Sequence, residues 1–383
     1  MGEASPFPVS ALGAPAQFTP DASDLVVYVL NVGDGDSIVI QFPEDDDERA
    51  YAVVDCYRGE KTEALLEALG ATGLRFVCAT HPHYDHIAGL RRIIRNFDTE
   101  EFWDSGFRYT SSTYNGIITE VLDRGVQFMR PTSGFETWVH GARITVLSPS
   151  IALRNRYDTY GIDPNNASIV LRIEYPYLSP EQGFPQRGAT GDDDDNSARS
   201  IILGGDAQTD AWSQVLSEFP HLDPDSANWS RLIGARTGRE PLLCDVMKVS
   251  HHGSKHGVSL ELVERFGDSG SAVSRGPRYL VFSSAHQAGS SHGFPHRVTQ
   301  EILREVRQPL ARSGAAHRPD EDHELGIHYT AQELDPGGSS AGSVAAVFKD
   351  DGSVPRLYRF GDAVDDDVPL ALSRLVQAVP ARP

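Results

Sequence analysis

Thr80-His81-Pro82-His83-Tyr84-Asp85-His86 is the stretch that decides how this chain is read. Four groups able to hold a cation, His81, His83, Asp85 and His86, fall within six residues. Just upstream, residues 74–80 form a short apolar run of strand character. Downstream, residues 87–97 carry Leu90, Ile93, Ile94 and Phe97 at the spacing of one helix face. The ligand-rich stretch therefore sits on a loop at the carboxyl end of a strand. In extended chain His81 and His83 are two residues apart and point to one side, so they can share an ion. Asp85 and His86 follow the turn and can reach a second ion beside the first. Imidazole nitrogen and carboxylate oxygen together suit a borderline divalent cation. The rival reading, a solvated histidine-rich loop, fits both spacing and flanks worse.

Working outward, residues 25–31, 36–42 and 51–55 read as strands, with the acidic stretch 43–49 as a hairpin loop between the last two. A helix is expected over 59–69, where Leu65, Leu66 and Leu69 face a core. This alternation of strand and helix argues for a layered α/β domain. Beyond it, helices are expected over 114–124, 209–219 and 258–266. Strands are expected over 126–130, 143–147, 168–175, 200–205, 244–249 and 279–283, and a loop over 155–166. Residues 343–348 and 356–360, separated by an Asp-Gly turn at 350–352, read as a hairpin. The organisation that follows is a flexible arm over 1–22, one domain over 23–362 with a surface insertion at 176–198, and a weakly helical tail over 363–383. The insertion holds the run 192–195 of four aspartates, which lacks the alternating spacing of a calcium loop.

Composition bounds the partners. A hydrophobic share of 39% with 9% aromatics over 383 residues supports a sizeable core and excludes disorder throughout. Acidic residues outnumber basic ones 54 to 34, a formal net charge of −20, so strong duplex DNA binding is not expected. No apolar run approaches the ~20 residues that cross a bilayer, and no membrane partner is expected. The first twenty residues lack both a basic residue and an apolar run, so no secretory signal is read there and a cytoplasmic location is expected. Cys56, Cys78 and Cys244 read as reduced, buried thiols. Histidine is the unusual residue: nine of fourteen fall within 81–86, 251–256 and 286–296.

His81-Pro82-His83-Tyr84-Asp85-His86 resembles the HxHxDH signature of the metallo-β-lactamase fold. Val54-Asp55 resembles that family's strand-ending aspartate. More narrowly, residues 30–37, Leu-Asn-Val-Gly-Asp-Gly-Asp-Ser, resemble the DVGQGDS opening of the ComEC-like branch, with Asn31 and Asp34 in place of its first aspartate and its glutamine. Leu203-Gly204-Gly205-Asp206 is similar to the branch's GD motif, and Lys248-Val249-Ser250-His251-His252-Gly253-Ser254 to its KVxHHGS motif. The resemblance implies a stand-alone hydrolase with a four-layer αββα metallo-β-lactamase sandwich, bearing two divalent metal ions at one edge of the sheets. Zinc is the expected metal, with manganese as the alternative. It implies His81 and His83 on the first ion, Asp85, His86 and His251 on the second, and Asp206 bridging them. Asp206 also reads as a helix N-cap. Adjacent residues on an extended segment point to opposite sides, so only one of His251 and His252 can face the metals; His251 is favoured, with His252 left to support a ligand from behind or to touch substrate. Most of the wider superfamily has a further histidine near 165–168, where this chain has Asn165, Asn166, Ala167 and Ser168. The branch often shows GHP where this chain has Gly293-Phe294-Pro295-His296.

The chemistry expected is hydrolysis of a phosphodiester by hydroxide that a dinuclear metal site supplies at neutral pH. In this reading Asp85 or Asp206 orients the nucleophile, and His252 or one of His286, His292 and His296 protonates the leaving oxygen. Asn166 is a candidate substrate group or a loop cap. Lys255 and the amides of Gly253 and Ser254, read as a helix entrance, are candidate anion donors. Substrates in view are single-stranded nucleic acid, a nucleotide or a small ester. Acyl hydrolysis of a lactone, β-lactam or thioester is the alternative, and a non-catalytic metal-binding scaffold ranks third. A basic cleft walled by Arg108, Arg154, Arg156 and Lys255 would point to a nucleic-acid strand.

Overall fold

Strands whose every side chain is apolar are strands buried on both faces, and the burial pattern shows it directly. In β1 (Leu25–Val29) Leu25, Val27 and Val29 join one core while Val26 and Tyr28 join another. The same division holds in β2 (Ser37–Asp45) and β3 (Glu48–Cys56), where Ile38, Ile40 and Val54 face one way and Val39 and Val53 the other. The computed structural model describes residues 20–107, 109–160, 163–177, 198–220, 242–267, 276–284, 290, 292–307, 326–331, 342–360 and 375–377.

Among the described residues these strands belong to a nine-stranded sheet. Its parallel part runs from β3 through β4 (Gly73–Ala79) and β5 (Asp98–Asp104) to β6 (Gln127–Met129). A seven-stranded sheet is built from β7 (Glu136–Val139), β8 (Ala142–Ser148), β9 (Val170–Tyr175), β10 (Arg199–Leu203), β11 (Val246–Lys248), β12 (Tyr279–Phe282) and β13 (Ile327–Tyr329). The last four of these run parallel. One core cluster lies between the sheets, joining Leu25, Ile40 and Phe76 to Ile144, Leu171 and Val281. A second covers the outer face of the first sheet with α1 (Gly59–Ala68), α3 (Leu90–Asn96) and α4 (Ser112–Asp123) through Leu66, Ile93 and Ile117. A third covers the other sheet with α6 (Thr209–Glu218), α7 (Leu260–Arg265) and α8 (Arg297–Arg307) through Trp212, Leu262 and Leu303. The order helix, sheet, sheet, helix is the four-layer α/β sandwich expected.

The nine-stranded sheet is closed out late in the chain. β14 (Ser343–Phe348) lies antiparallel beside β1, with Val27 opposite Ala346, and the Ser343 hydroxyl accepts the Asn31 N–H. Outside it come β15 (Arg356–Phe360) and β16 (Leu375–Gln377).

Several local expectations change. The 43–49 loop is shorter: β2 and β3 run on, with Glu44 opposite Arg49, and the turn tightens to Asp46 and Asp47 at φ 49° and 64°. Acidic residues can stand there because they point into water and tolerate the left-handed conformation. The single helix over 87–97 is two pieces, α2 (Tyr84–Ile87) and α3, broken at Gly89, whose N–H donates to Cys56 O at 2.7 Å. A Cβ on Gly89 would stand 2.6 Å from Cys56 Sγ, so only glycine lets the chain pass this close. The expected loop over 155–166 is largely helix: α5 (Ile151–Tyr160) and a 3-10 turn (Pro164–Ala167) occupy it. β5, β7, β13, α5 and α8 were not expected, and the tail contains β16 where weak helix was read. The arm over 1–19, most of the 176–198 insertion and the rest of the tail lie outside the described residues. Among the described residues no helix is long and apolar enough to cross a membrane.

Candidate metal centre

The parallel strands of both sheets end at one edge, and the polar side chains gather there. Ile169 N–H donates to Thr80 O at 2.9 Å, tying the approach to β9 to the end of β4. Gly205, at φ 50°, passes so close that a Cβ would meet Ser168 and Thr80 at 3.1 and 3.2 Å. That contact lets the chain after β10 carry Asp206 under the His81–His86 stretch.

Asp206 is the hub. Its Oδ1 lies 3.2 Å from His86 Nε2 and 3.5 Å from His252 Nε2. Its Oδ2 lies 3.8 Å from His81 Nε2 and 3.7 Å from His251 Nε2. Asp85 Oδ2 completes the first group at 3.8 Å from His86 Nε2 and 3.5 Å from His252 Nε2. Ligand atoms of Asp85, His86, Asp206 and His252 all fall within 4.8 Å of one another, the spread of a cation's coordination sphere. His83 stands beside His81, ring centroids 4.6 Å apart.

The expectation grouped His251 with Asp85 and His86; the structure groups His252 there and sets His251 on the far oxygen of Asp206, with His81. The reason is backbone conformation. Both histidines lie in a 3-10 turn (Ser250–Gly253) at φ 51°, in the left-handed region, so the chain curls and both rings face the same carboxylate. The alternation argument holds only for extended chain. Two adjacent non-glycine residues in this region store roughly 1–3 kcal/mol of strain each.

Each ring is held from behind. Asp55, also at positive φ, accepts His86 Nδ1 at 2.7 Å and takes Thr80 N–H and hydroxyl at 2.8 and 2.6 Å. His252 Nδ1 lies 2.9 Å from Ser283 Oγ and 3.2 Å from Ser283 O at the end of β12. His251 Nδ1 meets the Gln208 side-chain amide at 3.1 Å. Behind the rings, fully buried Lys248 forms an ion pair with fully buried Asp36, joining the sheets. Asp36 lies 3.7 Å from His252 Nδ1 and 3.8 Å from His86 Nδ1. The sequence marks Asp55 only as resembling the family's strand-ending aspartate, and gives no supporting role to Asp36, Lys248, Gln208 or Ser283. For Lys248 and Asp36 a signal existed: full charges embedded in apolar strand ends.

Protonation follows from this geometry. Burial and the neighbouring His86 push His81 well below the usual imidazole range. Burial lowers His251 too, with His252 adding to it against the pull of Asp206. Burial works against a charge on His86, yet Asp206 and Asp55 on its two nitrogens raise it well above that range. Burial likewise opposes ionisation of Asp206 and Asp85. The charge of His86 and His252 overcomes it at Asp206, and the His252 hydrogen bond with the charge of His86 at Asp85, so both stay below the ordinary carboxylate range.

The expected substrate groups are scattered. Asn166 is buried and its Oδ1 accepts Ala211 N–H at 3.1 Å, capping the first turn of α6. Ser254 N–H donates to His251 O, and α7 begins only after Ser259, so no helix entrance lies at 253–254. Lys255 is exposed. His296 caps α8, its Nδ1 accepting Val298 N–H at 3.3 Å. His292 is exposed beside Phe294, ring centroids 5.7 Å apart. Arg154 is turned to the carbonyls of Ser105 and Pro131, and Arg156 is exposed. His286 and Arg108 lie outside the described residues.

The family model of the metallo-β-lactamase superfamily matches residues 30–124, about a quarter of the chain. With two sheets between helix layers, the fold is that of the metallo-β-lactamases. No curated protein matches the sequence. Among solved structures, a variant of the CmlA β-hydroxylase is 11% identical with a TM-score of 0.37; the match covers 86% of this chain and 55% of that one. Igni18, described as a novel metallo hydrolase from the archaeon Ignicoccus hospitalis, is 12% identical at a TM-score of 0.36, covering 80% of this chain and 94% of that one. The metallo-β-lactamase fold protein YhfI from Bacillus subtilis is 10% identical at 0.38, with coverages of 80% and 95%.

Proposed function

We propose that this chain is a metal-dependent hydrolase of phosphodiesters, using two divalent cations. Asp85, His86 and His252 would hold one and His81, His83 and His251 the other, with Asp206 placed between the two groups. One observation carries the reading. His81 Nε2, His86 Nε2, His252 Nε2 and Asp206 Oδ1 are buried, converge on one small volume and have no hydrogen-bond partner outside the cluster. Leaving such atoms dry costs several kcal/mol, which a cation repays. The donor set of imidazoles and carboxylates suits zinc, with manganese as the alternative.

When bound, the cations would supply Lewis acidity toward phosphoryl oxygens and ease the ionisation of water at neutral pH. The chain's own groups do the rest. Asp55 and Ser283 fix the rings of His86 and His252, so their Nε2 atoms stay aimed. Asp85, 39% exposed at its side chain, is the carboxylate nearest solvent and orients the attacking water. His252 has its Nε2 in the cluster and its Nδ1 on Ser283, which leaves the leaving oxygen's proton to a later histidine, and exposed His292 stands beside Phe294, itself next to His251 and His252. The net charge of −20 favours small or single-stranded substrates over duplex.

The test is an assay of the zinc- and manganese-loaded protein on bis-p-nitrophenyl phosphate, a chromogenic β-lactam and a lactone. Turnover of the phosphodiester is expected, with Asp206→Asn lowering kcat/KM by about a thousandfold. Turnover of the lactam or lactone alone would assign acyl hydrolysis instead.

A further inference from the structure

Among the described residues, Phe294 and Tyr109 lie against the candidate ligand histidines without a place in any of the three core clusters. The imidazoles form a continuous row. His83 lies 4.6 Å from His81, His81 4.2 Å from His86, His86 5.3 Å from His252, and His252 6.3 Å from His251, all between ring centroids. Tyr109 touches the first end, its ring 5.9 Å from His83. Phe294 touches the last, 5.5 Å from His251 and 5.9 Å from His252. Both rings are partly exposed.

Phe294 is held there by a dedicated latch. Ser290 donates its hydroxyl to Asp34 Oδ2 at 2.7 Å and accepts the N–H groups of Phe294 and His292 at 2.8 and 3.2 Å. Next to it, His296 N–H donates to Gly253 O at 2.8 Å, and a Cβ on Gly253 would collide with Pro295. The segment is thus pinned to the turn bearing His251 and His252. A phenyl ring can neither ligate a cation nor move a proton. What a rigid, half-open ring offers at such a place is a flat face for another flat group.

We propose that Phe294, seconded by Tyr109, is a stacking platform that selects phosphodiesters with a nucleobase next to the scissile phosphate. This rests on the phosphodiesterase reading above. Stacking of a base on an aromatic side chain is tolerant of sequence and draws on the face of the ring and not on a charge, so it is open to a chain of net charge −20. It names a nucleotide-sized segment, and not a long strand, as the unit recognised.

The test compares thymidine 5′-(p-nitrophenyl phosphate) with ethyl p-nitrophenyl phosphate, which release the same chromophore, on the metal-loaded full chain. The thymidine ester should have the higher kcat/KM by about ten- to hundredfold. Phe294→Ala should bring the ratio near one and Phe294→Trp should keep it, with metal content measured for each variant. In parallel, calorimetry should show thymidine 5′-monophosphate binding about tenfold or more tighter than ethyl phosphate, a preference lost in Phe294→Ala. Equal handling of both esters by the native chain, or a ratio untouched by Phe294→Ala, overturns the platform while leaving the phosphodiesterase reading intact. Neither ester cleaved, yet a nucleotide preference in binding that depends on Phe294, removes the phosphodiesterase reading and keeps the platform. Equal binding of the two phosphates removes the platform whatever the turnover.

Discussion

Lys248 and Asp36 form a fully buried ion pair directly behind two candidate ligands, and removing either partner leaves an uncompensated charge. Lys248→Ala is expected to cost about 3–5 kcal/mol, read from urea denaturation, while Lys248→Met combined with Asp36→Leu should cost clearly less. An equal cost for both variants would show that the pair itself stabilises the fold. His86 makes a second prediction. Its raised pKa means the metal-free protein keeps a proton between His86 and Asp206, where the proposed cation would bind. Binding must expel that proton, so metal affinity should rise about tenfold per pH unit below the raised value. Calorimetry in buffers of different ionisation enthalpy should show about one proton released. In the metal-free protein this proton stabilises the fold at low pH, and its contribution fades as pH rises through the raised value. At this scale the sequence was legible where chemistry is local: the His81–His86 spacing announced itself. The sharing-out of His251 and His252 was not, because left-handed φ at two consecutive non-glycine residues has no composition signal.

Helices α3 and α4 are clasped by Glu120, which meets Arg91, Arg95 and Arg124 at 3.1, 2.8 and 3.4 Å. Hydrogen bonds from Arg95 first, then Arg91, hold its carboxyl down to about 2. This contribution is present above the ordinary carboxylate range and is lost as pH falls toward about 2. The arginines are about half exposed, so screening discounts it: Glu120→Gln is expected to lower stability by about 1 kcal/mol, and the difference should shrink in 1 M salt. Elements were readable where apolar period and flanks agreed, as in α1, α4 and β14. They were missed where charge hid the pattern. β5 begins Asp-Thr-Glu-Glu and α8 is largely polar, yet each is placed by a few buried residues: Phe102 and Trp103 on opposite faces of β5, and Leu303 with Val306 along α8.

The candidate centre draws ligands from both sheets: the chain after β4 brings His81, His83, Asp85 and His86, while the chains after β10 and β11 bring Asp206, His251 and His252. A bound cation therefore joins the halves of the sandwich, and chelation should loosen the whole molecule. At metal held near a thousandfold above its Kd, removal should cost about 4 kcal/mol. Differential scanning calorimetry with and without EDTA should show one transition moving down; an unchanged Tm would mean that the metal spans nothing. The layers were foreseeable from strand and helix alternation and from the resemblance, but neighbours across the sheets were not, because strand order depends on contacts hundreds of residues apart.

The pairing of β1 with β14 has a consequence for synthesis. Asn31 and Ser343 are hydrogen-bonded partners 312 residues apart in the chain. On the ribosome the first strand emerges long before the neighbour that covers its outer edge, and an apolar strand with an open edge invites other chains. Pairing with β2 covers only the opposite edge, so this one must be shielded, as by a chaperone, until β14 is made. Nascent chains stalled before residue 343 should aggregate, although every candidate metal ligand has by then been made.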